Sequence, residues 1–303
     1  MTRFVQLTGT LAVSVLAFAA SSSASQDLPE AAQARPTMDA ALSLHEHDDL
    51  LREGWQAYQR QDFPAAIAAY RASVQAHPND SLLWYDLGCL QALGGDPGAA
   101  RASLREALRL NPRLAAAHDA IGQLDEQDGR LAEALTSHRK AVELAPAQAK
   151  FLRHLARIQI RLGEMAAGRD TLAQLLAADP ADLDARYQLA VLELEADQPD
   201  HALRHFQQLL TAEPRDVRAL NGLGLALLHT RQFEDAAKAL EQAKTIEPTS
   251  PQTYSNLGLL AAQQGRWDDA RQAWERTLTL DPGYRPAAEN LRILDTENGP
   301  QRP

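Results

Sequence analysis

The sequence predicts an all-α protein built as a solenoid of seven tandem helix-turn-helix units. Three observations carry this. Pro78, Pro112, Pro146, Pro180, Pro214, Pro248 and Pro282 recur every 34 residues. Proline is about one residue in twenty in ordinary chains, so so regular a row marks an internal repeat. Two columns of tiny residues keep the same register: Gly54, Gly88, Gly122, Ala156, Ala190, Gly224 and Gly258, and Ala66, Ala100, Ala134, Gly168, Ala202, Ala236 and Ala270. The composition also favours helix. Ala and Leu dominate a 45% hydrophobic chain with only 5% aromatics, and both lose little freedom in a helix.

From the N-terminus, residues 1–25 read as a secretory signal peptide: Arg3, an apolar run from Leu11 to Ala20, then Ser21 to Ser25 as small residues for cleavage. Gln6, Thr8, Gly9 and Thr10 break the apolar pattern ahead of this run and leave it short of the about 20 apolar residues of a membrane span. No cysteine stands near the cleavage region, so no lipoprotein anchor is expected. Residues 26–46 are expected to form a linker and an N-terminal helical extension, with Thr37 as a cap before Met38.

Residues 47–284 hold the seven units. Large apolar residues precede the first small column: Leu87, Ile121, Leu155, Leu189, Leu223 and Leu257. Others follow the second small column by four residues: Tyr70, Leu104, Leu172, Phe206, Leu240 and Trp274. The i, i+4 spacing places them on the same helix face as the small residue, where two backbones approach closely. Gly95, Gly129, Gly163 and Gly265 end first helices, and Pro97 and Pro199 open second helices, where a missing N–H is harmless. Glu53, His118, His138 and Arg186 break apolar columns, and looser packing or a bend is expected there. Residues 285–297 are expected to cap the array. Ala287, Ala288, Leu291 and Leu294 would face inward, and Arg285, Glu289, Arg292 and Asp295 would face water. Residues 298–303 should form a disordered tail.

Segments such as Trp84-Tyr85-Asp86-Leu87-Gly88 and Tyr254-Ser255-Asn256-Leu257-Gly258 closely resemble the opening motif of the tetratricopeptide repeat family, and the likeness extends over residues 47–284. The resemblance implies a right-handed superhelix whose first helices line a concave groove for a protein or peptide partner. On that geometry the groove positions are Leu51, Trp55, Tyr58, Leu82, Tyr85 and Cys89 at an aromatic end. A basic stripe of Lys150, Arg153, Arg157 and Arg161 follows, then Arg218, Asn221 and His229. The aromatic end suits a docked peptide, or is covered by the N-terminal extension or by a second copy in a homodimer. The stripe suits a carboxylate-rich ligand, or is consumed by Asp119 and Glu126 on one side and Asp184 and Glu195 on the other.

The formal charge of −10 disfavours nucleic acid and anionic lipid as general partners. One cysteine, Cys89, allows neither an internal disulfide nor a cysteine zinc site. His45 and His47, and His201 and His205, are close in sequence, yet neither pair shows a third ligand, so no metal or other cofactor is expected. Gly222-Leu223-Gly224 lies inside a repeat helix, not after a strand, and no catalytic motif stands out. The sequence therefore points to a non-catalytic interaction scaffold in the periplasm or outside the cell. The alternatives are an accessory subunit of an envelope biogenesis complex and a self-assembling structural protein.

Overall fold

The computed structural model describes residues 49–298. The expected signal peptide, the linker with its helical extension, the pair His45 and His47, and residues 299–303 of the expected tail lie outside these residues; Asn298, expected to open that tail, is the last residue of a helix. All regular structure among the described residues is helical. Helices run in pairs, α1 (Asp49–Gln59) with α2 (Phe63–Ala76), α3 (Ser81–Leu93) with α4 (Pro97–Leu110), α5 (Ala115–Gln127) with α6 (Leu131–Leu144), and α7 (Ala149–Arg161) with α8 (Met165–Ala178). The series continues with α9 (Leu183–Glu195) and α10 (Pro199–Ala212), α11 (Val217–His229) and α12 (Phe233–Ile246), and α13 (Pro251–Gln263) and α14 (Trp267–Leu280); α15 (Arg285–Asn298) follows. The helices fall into two compact units, one ending at Asp179 and one beginning at Pro180.

The 34-residue period is written in the backbone. First helices end in a left-handed residue at one column: Gly95, Gly129, Gly163 and Gly265 have φ of 82°, 74°, 79° and 75°. Where the column lacks glycine, Gln61, Asp197 and Arg231 adopt φ of 60°, 56° and 60°. The turn is thus set by the array, and glycine only relieves the Cβ strain. Pro97 and Pro199 each occupy the first turn of a second helix, and Asp96 caps α4 by accepting from the Ala99 backbone N–H at 2.9 Å.

The small columns are contacts, as expected. A Cβ placed on Gly88 would meet the Leu104 side chain at 2.8 Å, one on Gly224 would meet Leu240 at 2.6 Å, and one on Gly258 would meet Trp274 at 2.4 Å. Tyr70, Leu104, Leu172, Phe206, Leu240 and Trp274 are all buried, as their column predicts.

Two of the departures from the apolar pattern are not loose packing. His118 and Arg186 stand in the column of Trp84 and Tyr254, and all four reach back to a repeat proline carbonyl. Trp84 Nε1 donates to Pro78 O at 2.9 Å, His118 Nε2 lies 3.0 Å from Pro112 O, Tyr254 Oη donates to Pro248 O at 3.2 Å, and Arg186 donates to Pro180 O. Four members of the column thus carry a donor at the tip of a long side chain, while Leu152 and Leu220 fill the same position as buried apolar residues. Glu53 is exposed and breaks no buried contact. In α15, Ala287 and Leu294 are buried and Leu291 is half-buried. Ala288 is exposed, contrary to expectation, and the buried Asn290 takes the inward place.

Candidate functional site

In the N-terminal unit the first helices α3, α5 and α7 converge on a small recess of about 30 Å³. Its wall includes Tyr85, Cys89, Ala120, Gln123, Gln127 and Lys150. It unites three of the residues assigned to the groove, Tyr85, Cys89 and Lys150, and adds Gln123 and Gln127, which sequence reasoning did not select. Their signal was their spacing of four on α5, matching the inward spacing on α3.

The expected groove residues divide by burial. Leu51, Tyr85, Cys89 and Asn221 are buried, so most of their surface packs the fold and little is left to offer a ligand. Trp55, Tyr58 and Leu82 are half-buried, and the Trp55 and Tyr58 rings stack with centroids 5.3 Å apart. Asn221 is held by its neighbours: its Nδ2 donates to Thr253 Oγ1 at 2.9 Å and to Val217 O at 3.0 Å. Arg218 is exposed and bridges Asp216 at 3.4 Å and Asp184 at 3.9 Å, with its guanidinium 5.2 Å from the Tyr187 ring centre. His229 is half-buried, and burial pulls its pKa below the ordinary value despite Asp197. Burial first and Asp86 second push the Cys89 thiol up to about 12, so it stays protonated and weakly nucleophilic.

The basic stripe meets the acidic side of α5. Arg157 Nη2 lies 3.1 Å from Glu126 Oε1, and Arg161 Nη1 lies 2.8 Å from Glu126 Oε2. Arg157 and Arg161 are therefore paired within the fold. Lys150 and Arg153 are half-buried, and Lys150 lines the recess.

Behind this wall lies a buried polar cluster. His138 on α6 occupies the large apolar column, and its ring packs against Gly122 as Leu104 packs against Gly88. Both of its nitrogens face carboxylates: Nδ1 lies 2.9 Å from Asp119 Oδ1 and Nε2 lies 3.0 Å from Glu126 Oε1. His154 on α7 brings Nδ1 to 2.8 Å from the same Asp119 oxygen. Gln123 Nε2 donates to Asp119 Oδ2 at 2.8 Å. Burial opposes the Asp119 charge, but the hydrogen bonds from His138 and His154 outweigh it and hold the carboxyl well below its usual range. Glu126, also opposed by burial, is brought down to about 2 by His138 and Arg157. Burial lowers and the two carboxylates raise the His138 pKa, with a net rise. The geometry agrees, because two carboxylate acceptors call for two N–H donors on one ring.

In the C-terminal unit, His201 Nδ1 and His205 Nε2 each lie 3.6 Å from Glu193 Oε1. Glu193 is buried, so it partners the histidine pair that had none in sequence. A shallow apolar groove floored by Leu210, Leu220, Leu223 and Leu227 runs beside α10, α11 and α12.

Among the described residues no helix is long and apolar enough to cross a membrane. Tetratricopeptide repeat models match residues 51–115 and 187–251, 126–194, and 251–284. Solved structures share the fold. YrrB, described as a repeat protein of this kind with an unusual peptide-binding site, is 18% identical with a TM-score of 0.53, over 62% of this chain and 97% of that one. Pseudomonas aeruginosa pilF is 18% identical with a TM-score of 0.52, over 70% and 97%. A tetratricopeptide repeat protein from Parabacteroides merdae is 18% identical with a TM-score of 0.51, over 81% and 97%. No curated protein matches the chain.

Proposed function

Because the chain belongs to the tetratricopeptide repeat family, whose folds serve as protein-interaction scaffolds, we propose that it is a non-catalytic adaptor of the cell envelope. Its partner, a protein or peptide, docks on the first-helix wall of the N-terminal unit. The observation that carries this is the recess where Tyr85, Gln123, Gln127 and Lys150 meet on three successive first helices. Its lining is small and apolar at Ala92, Ala116 and Ala120, and offers two amides and an ammonium at Gln123, Gln127 and Lys150. That mix suits a peptide: amides take main-chain groups, the alanines admit close approach, and Lys150 takes a carboxylate. Trp55 and Tyr58 extend the same face with aromatic surface. The peptide-binding description of YrrB supports the reading by analogy of fold.

The signal-like residues 1–25 support export to the periplasm or the outside. The acidic charge argues against nucleic acid as a partner. A homodimer that covers Trp55 and Tyr58 is the competing use of that surface. Crosslinking and pull-down from the native envelope test the proposal, with wild type beside an Ala120→Arg, Lys150→Glu variant. The variant fills and reverses the charge of the recess while leaving the large core side chains in place. Loss of specific partners with unchanged helicity is the expected result; identical partner lists remove the recess from the account. Light scattering on the mature chain separates the dimer from the monomeric adaptor.

A further inference from the structure

We propose that Asp119, His138 and His154 form a binding site for a divalent transition-metal ion, buried at the joint of the third and fourth repeats. Among the described residues, these three place one ligand atom each within 4.8 Å of one another. The ligand atoms are Asp119 Oδ1, His138 Nδ1 and His154 Nδ1, on three different helices. Their side chains are 1%, 0% and 2% exposed, so an ion there is shielded from bulk water.

The spacing suits an ion. First-row divalent ions sit about 2.1 Å from an imidazole nitrogen or carboxylate oxygen. Two such ligands at right angles are then about 3 Å apart, as in a six-coordinate site with two imidazoles and one carboxylate. The separations from Asp119 Oδ1 are 2.9 Å to His138 and 2.8 Å to His154. Nitrogen-rich donors of this kind select transition ions such as Co²⁺, Ni²⁺ or Zn²⁺ over Mg²⁺ or Ca²⁺.

The surroundings supply what a metal site needs beyond its ligands. Glu126 Oε1 lies 3.0 Å from His138 Nε2. A carboxylate there fixes the tautomer with hydrogen on Nε2 and leaves the Nδ1 lone pair for the ion. Glu126 is itself anchored by Arg157 and Arg161. Gln123 reaches both Asp119 Oδ2, at 2.8 Å, and His154 Nδ1, at 3.5 Å, so its amide turned about places an oxygen toward the ion. Asp119 and Gln123 also line the recess, which gives an entry path. Without an ion, protons occupy the two Nδ1···Oδ1 contacts; binding displaces them from the Nδ1 atoms, His138 keeping its Nε2 proton, and puts the ion's charge beside Asp119.

The test uses the full chain, stripped with chelator and titrated with Co²⁺ and Zn²⁺. One equivalent of Co²⁺ should bind and give ligand-field absorption. Zn²⁺ should shift the Nδ1 resonances of His138 and His154 in imidazole ¹⁵N spectra and leave those of His201 and His205 in place. His154→Gln or Asp119→Asn should lower affinity about 100-fold or more, and Glu126→Gln about tenfold. Absence of a saturable equivalent, or binding undiminished in His154→Gln, overturns the site, as does an ion that moves only His201 and His205. If His154→Gln loses helicity, the wild-type ¹⁵N spectra decide alone.

Discussion

The two units of this chain solve one packing problem in different ways. In the C-terminal unit the large column is filled by the buried Phe206, Leu240 and Trp274; Leu240 and Trp274 pack against Gly224 and Gly258 of their partner helices, and Phe206 against Gly222 of the following repeat. In the N-terminal unit the same column holds Tyr70, Leu104 and Leu172, but also His138, which is equally buried against Gly122. The histidine is tolerated because Asp119 and Glu126 each partner one of its ring nitrogens, with His154 bonded to the same Asp119 oxygen. A solenoid position therefore selects for volume and for satisfied polarity, and the two need not come from an apolar side chain. The C-terminal unit has buried polar contacts too: Asn221 with Thr253 is a neutral pair, and the buried Glu193 meets His201 and His205, which keep part of their surface exposed.

This contrast is sharpened first by exchanging the two solutions. His138→Leu puts in the residue that the column holds elsewhere, yet it should destabilise the N-terminal unit by about 3–5 kcal/mol, because Asp119 and Glu126 lose a buried partner. Urea unfolding followed by helicity measures it. A neutral or stabilising result would mean that the column obeys apolar volume alone. Phe206→Ala in the C-terminal unit should cost a similar about 3–5 kcal/mol, here by leaving a cavity. A loss under about 1 kcal/mol would show that this joint is loosely packed.

A smaller effect separates the units by pH. Burial pushes Glu195, at the end of α9, up to about 7, and its Oε1 is buried with no hydrogen-bond partner among the described residues. The folded state thus holds a proton that the unfolded chain releases near its ordinary value of 4.5. Between these values the native state binds more protons, so stability falls as pH rises through this window and the cost is complete above about 7. Glu195→Gln should stabilise the C-terminal unit by about 1 kcal/mol at pH 8, an amount discounted for the half-exposed position, and by nothing below pH 4.5. A gain that is the same at both pH values would remove ionisation as its cause.

The smallest predicted change concerns the turn column. Arg231 carries a positive φ of 60° where four other repeats use glycine. Arg231→Gly should raise stability by about 0.5 kcal/mol in thermal unfolding. A loss would mean that the Arg231 side chain contributes more than its strained backbone costs.

Much of this was open to reading in the chain itself. The proline row, the small columns and their large partners place every helix pair, because each column records a contact inside one repeat. The pairing of Arg157 and Arg161 with Glu126 was also within reach, as acidic residues one repeat away were the obvious neighbours of the stripe. The buried cluster was not. Its members lie 12, 19 and 35 residues apart, so no short motif joins them, and His138 alone reads as a defect in an apolar column. Tyr85 and Cys89 were expected to face a ligand because they lie on the inner side of a first helix. That side also receives the next first helix, so neighbouring repeats bury residues that one repeat alone would expose. Glu193, which completes the His201 and His205 group, was missed because it stands on the other helix of the pair.

The claim on which the comparison rests is that His138 and Asp119 form one charged unit inside the array. A double-mutant cycle with His138→Leu, Asp119→Leu and the combined variant, read by urea unfolding at neutral pH, measures their coupling directly. The account predicts single losses of about 3 kcal/mol or more that are far from additive, with the double variant recovering at least about 2 kcal/mol of their sum. Losses that simply add would show that the two side chains are independent and that the histidine is a packing defect after all.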